Sequence, residues 1–93
     1  MRIIGYIEHP GVKITVFKMD NRISVKLENA LYEQTYKFGT DERVGSLEGV
    51  QKLLDEPFIE QALAHFRDMH QNRISAFARA FSADKGVMFE EII

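Results

Sequence analysis

The side chains best suited to chemistry in this sequence are a histidine and an arginine set where apolar residues are expected. At helical spacing Ile59, Ala62, Leu63, Phe66, Met69, Ile74, Phe77 and Phe81 form one apolar stripe. His70 falls near the centre of that stripe and Arg73 at its border. The strand face that such a helix would cover carries Tyr32, Gln34 and Tyr36. An imidazole, a guanidinium, an amide and phenols converging on an apolar interface are the usual make-up of a small-ligand pocket. The predicted site is therefore His70, Arg73, Gln34 and Tyr36, with Arg73 supplying charge to a small anionic or polar molecule and His70 acting as donor or proton carrier. The competing reading is structural: a core histidine bonded to a neighbouring hydroxyl, and an arginine reaching water over its own methylene stem.

Other chemistry is thinly represented. His65 and Asp68, one turn apart on the opposite helix face, offer two metal ligands, which do not make a site, and no metal or other cofactor is expected. His65 and His70 point to different faces, so the paired-histidine motif of metalloproteases is absent. With no cysteine there is no disulfide, thiolate site or cysteine nucleophile. Gly45 and Gly49 lack the Gly-Lys-Ser/Thr ending of a phosphate loop, and there is no Gly-x-Ser-x-Gly elbow. An enzyme is not the expected reading.

These residues need elements to position them, and the first forty residues read as strands. Apolar side chains alternate through Ile14, Val16, Ile23, Val25 and Leu27, with turn residues between the runs. A two-residue turn at Asp20-Asn21 sets Val16 opposite Val25 and Ile14 opposite Leu27, with Lys13 meeting Glu28 and Thr15 meeting Lys26 on the other face. A type II turn at Pro10-Gly11 puts Ile7 opposite Ile14, Gly5 opposite Val16 and Glu8 opposite Lys13. A turn at Asn29-Ala30 puts Leu27 opposite Tyr32, Val25 opposite Gln34 and Ile23 opposite Tyr36. After the polar loop from Thr40 to Gly45, Ser46 is a good N-cap for a short helix burying Leu47, Val50, Leu53 and Leu54. Asp55-Glu56-Pro57 opens the long helix, which runs to about Phe81.

The fold expected for residues 1–93 is one α+β domain: a four-stranded antiparallel β-meander, then a short helix and a long helix packed on one sheet face. The apolar segment Val87-Met88-Phe89-Glu90-Glu91-Ile92-Ile93 is available as a short fifth strand. The long helix outruns its strands, so it either breaks near His70-Gln71-Asn72 or has its phenylalanines covered by a second copy. The latter is expected.

Scattered charge, 12 basic and 14 acidic residues, gives no nucleic-acid arm or acidic tail. No apolar run reaches the length of a signal peptide or a membrane span, so a cytoplasmic protein without membrane contact is expected. The outer sheet face mixes Lys13, Arg22, Lys26 and Lys37 with Ile4, Tyr6, Phe17 and Met19. Interleaved rings and cations are how single-strand nucleic-acid platforms work. Four strands followed by a long helix also resembles, in element order, the Whirly-type single-strand-binding domains, which implies single-stranded nucleic acid as a partner. The carboxylates Glu8, Glu28 and Glu33 offset much of that positive field. The leading expectation is a small interaction module, a homodimer or binder of another protein, acting through Ile4, Tyr6, Phe17 and Met19 or through Phe77 and Phe81.

Overall fold

The structure, a computed structural model, describes residues 1–39 and 44–82. Four strands, β1 (Arg2–Ile7), β2 (Lys13–Met19), β3 (Arg22–Glu28) and β4 (Glu33–Gly39), pair antiparallel in sequential order, followed by helices α1 (Leu47–Leu53) and α2 (Glu56–Ala80). This is the α+β meander that the alternation predicts. The fifth strand proposed for residues 87–93 lies outside the described residues. By internal packing the chain divides into two bodies, Met1–Leu63 and Ala64–Ile93, with α2 contributing to both.

The central hairpin has the predicted register. Val16 pairs with Val25, Ile14 with Leu27, Thr15 with Lys26 and Lys13 with Glu28. Its turn closes with Met19 opposite Arg22, and Asp20 takes φ 54°, whereas Asn21 does not become left-handed. Only one of the two central residues therefore uses the positive φ that both tolerate. Ile14, Val16, Ile23, Val25 and Leu27 are all buried on the inner face, each contributing about 1.5–3 kcal/mol of burial.

The flanking strands depart from simple alternation. β1 pairs Ile7 with Ile14 and Gly5 with Val16 as predicted, but Ile4 is an extra residue and Ile3, not Ile4, stands opposite Phe17. The bulge twists an edge strand, a common device at sheet margins. Gly11 has no left-handed φ, so the first turn is not type II; its N–H donates to His9 Nδ1 at 3.0 Å. The ladder ends at Ile7, so Glu8 is not a rung opposite Lys13.

Between β3 and β4 the connection is four residues, not two. Asn29 Oδ1 accepts from the N–H groups of Leu31 (3.0 Å) and Tyr32 (2.9 Å), and Asn29 N–H donates to the Tyr32 carbonyl. The asparagine side chain stands in for a backbone turn and lengthens the loop. Val25 consequently faces Tyr36, Leu27 faces Gln34 and Ile23 faces Phe38, two residues away from the predicted pairs. A slip of two preserves the face, so Gln34 and Tyr36 still point inward.

Ser46 caps α1 as predicted, its Oγ accepting from Gly49 N–H at 3.2 Å. Val50 and Leu54 are buried and Leu47 packs against Gly5, where any added Cβ would lie 2.6 Å from Leu47 Cδ2. Leu53 is exposed, not part of the inward face. Asp55 Oδ1 accepts from Phe58 N–H at 3.0 Å and starts α2, which runs unbroken for 25 residues through Gln71 and Asn72. In the first body its Ile59 and Ala62 complete the core with Val12, Val44, Val50 and Leu54.

Candidate functional site

The predicted ligand group separates into two pairs. In the first body Gln34 Nε2 donates to the Ala62 carbonyl at 2.7 Å, and Tyr36 Oη–H donates to Gln34 Oε1 at 2.9 Å. The Tyr36 ring also packs against Phe58, with centroids 4.9 Å apart. Gln34 and Tyr36 thus tie β4 to the first turns of α2, a structural task for both polar groups.

The other pair, His70 and Arg73, belongs to the second body. There Ile74 and Phe77 join them around a cavity of about 220 Å³. That is below the range of about 300–1,000 Å³ common for small-molecule sites. The Arg73 guanidinium lies 5.7 Å from the Phe77 ring centre, within cation–π range. Phe77 in turn stacks on Phe81, centroids 5.8 Å apart at 28°.

These residues share one face for a geometric reason. At 3.6 residues per turn Phe66, His70, Arg73, Ile74, Phe77 and Phe81 fall within an arc of about 100°. Asp68, Asn72, Ser75 and Arg79 occupy the opposite side. The stripe is continuous along α2, but its burial is not: Ile59, Ala62 and Phe66 are buried, whereas Ile74 is 41% exposed and Phe77 and Phe81 are each 37% exposed.

The outer face of the sheet forms a second surface. Tyr6, Met19 and Ile3 are exposed and Phe17 is half-buried, so the bulge substitutes Ile3 for Ile4 in the predicted patch. Lys26 Nζ sits 5.6 Å from the Phe17 ring centre and 3.5 Å from Glu28 Oε1. Lys13, Arg22 and Lys37 are exposed. At the β1–β2 turn a further cavity of about 240 Å³ is lined by Tyr6, Ile7, Glu8, His9, Val12, Lys13 and Ile14. The sequence signal for the conformation of this turn is a ring nitrogen, His9 Nδ1, two residues before the Gly11 N–H that it accepts from.

Among the described residues no three histidine, aspartate or glutamate side chains gather as a metal site, and no helix is long and apolar enough to cross a membrane. The chain matches no family model, no curated protein and no solved structure. The likeness to Whirly-type domains therefore rests on the order of elements alone.

Proposed function

We propose that this chain is a small protein-interaction module that self-associates through the C-terminal half of α2. The carrying observation is the run of Ile74, Phe77 and Phe81, exposed in line with a stripe whose earlier members are buried. Single exposed apolar residues are ordinary, whereas an aligned, ring-stacked group marks a contact surface. The sheet edges are poorer routes to association. β1 carries a bulge, and β4 alternates exposed Glu33, Thr35 and Lys37.

The test is Phe77→Glu. A side chain of this size presents on the order of 200 Å² when free, so 37% exposure leaves about 75 Å² to bury. At 25 cal/mol per Å² that is about 2 kcal/mol per copy and about 4 kcal/mol per dimer. Sedimentation should show the variant monomeric at concentrations where the parent is dimeric, with the parent's far-ultraviolet circular dichroism retained and a melting temperature that no longer rises with protein concentration. Equal self-association of the two proteins would refute the reading.

A single-strand nucleic-acid role is the alternative, favoured by exposed Tyr6 among Lys13, Arg22 and Lys37. The engagement of Lys26 by Phe17 and Glu28 weighs against it. Oligonucleotide binding that weakens steeply with salt would support that alternative, and no binding at low salt would remove it.

A further inference from the structure

We propose that the α2 stripe receives residues 87–93 of a second copy of this chain, an inference that rests on self-association through that stripe. Area is the first argument. With about 200 Å² for each free side chain, the exposed fractions of Ile74, Phe77 and Phe81 supply only about 230 Å² per copy. A standard interface takes about 800 Å² from each partner. Stripe against stripe is too small a contact, so further apolar surface must be brought to it.

Charge decides what that surface is. Arg73 lies within the stripe and Arg67 at its flank, whereas Asp68 and Arg79 are on the opposite side of the helix, so the charge at this face is basic. Within the stripe's own arc Arg73 is the charged residue. Two such stripes face to face would bring like charges together, a costly arrangement at a desolvated contact. The complementary occupant is apolar and acidic.

The sequence 87–93, Val-Met-Phe-Glu-Glu-Ile-Ile, has that chemistry: five apolar residues, two glutamates and no base. Phe89 or Ile92 suits the cavity bordered by Ile74 and Phe77, and Glu90 or Glu91 can then meet Arg73, an acid–guanidinium pairing that favours two hydrogen bonds. Exchange of this segment between two copies builds a closed, two-fold dimer in which each chain gives one segment and one stripe.

A charge swap in the full chain tests it. Arg73→Glu in one variant, and Glu90→Arg with Glu91→Arg in another, should each weaken self-association at least about tenfold when alone. Mixed in equal amounts, the two should recover a dimer, because each stripe then meets a segment of opposite charge on the other chain. Sedimentation of the separate variants and of the mixture reads this directly. A mixture no more associated than its components, or either variant dimerising as tightly as the parent, overturns the exchange. Those results leave the stripe's self-association standing, which fails only if the parent chain is itself monomeric.

Discussion

Replacing Gln34 tests how the sheet holds its helix, and the two donor–acceptor contacts set the magnitude. In Gln34→Ala the bond to the Ala62 carbonyl and the bond from Tyr36 are both lost. At about 1 kcal/mol net for each, the cost is about 2 kcal/mol. For a domain of this size that lowers the melting temperature by about 8–16 °C. Gln34→Glu separates the two bonds. A carboxylate still accepts from Tyr36 but cannot donate to Ala62, where two oxygens would be left close together without a proton between them. The folded state therefore favours the protonated acid and raises its pKa above the ordinary glutamate value of about 4.3. Stability from the protonated form is fully present below that unfolded value and is lost as pH rises through the raised folded one. Thermal melts by circular dichroism, each referenced to the parent at the same pH, should show a small deficit near pH 4 and a larger one near pH 7. A deficit that shrinks as pH rises, or a Gln34→Ala cost under about 0.5 kcal/mol, would refute the reasoning.

Two turn substitutions follow from the same structure. Asp20→Gly removes the steric cost of a side chain at φ 54° and should stabilise the protein by up to about 1 kcal/mol in urea unfolding, after the loss of chain entropy is counted. Asn29→Ala deletes the acceptor for Leu31 and Tyr32 N–H; it should cost about 1 kcal/mol, with amide exchange quickening first at those two groups.

The two sheet faces were legible because alternation survives any slip of two residues. Val25 has an inward partner whether the loop after Glu28 holds two residues or four, and the sequence pattern is blind to that difference. What decided it was a local bond, Asn29 Oδ1 to two backbone amides. The bulge at Ile4 was hidden for a related reason, since two adjacent isoleucines satisfy either phase of the alternation. Helix starts were legible at Ser46 and Asp55 because capping is written in residue type. The stripe on α2 was legible as well. The roles of the polar residues on β4 were not: Gln34 looks like a ligand donor until its amide is seen bonded to Ala62, because strand alternation does not say which backbone carbonyl lies across from it.

Sedimentation equilibrium of the unmodified chain over a range of concentrations addresses the central claim most directly. Association through Ile74, Phe77 and Phe81 predicts a mass that rises with concentration to twice the 10.8 kDa of one chain. A mass fixed at that of a single chain throughout would contradict it.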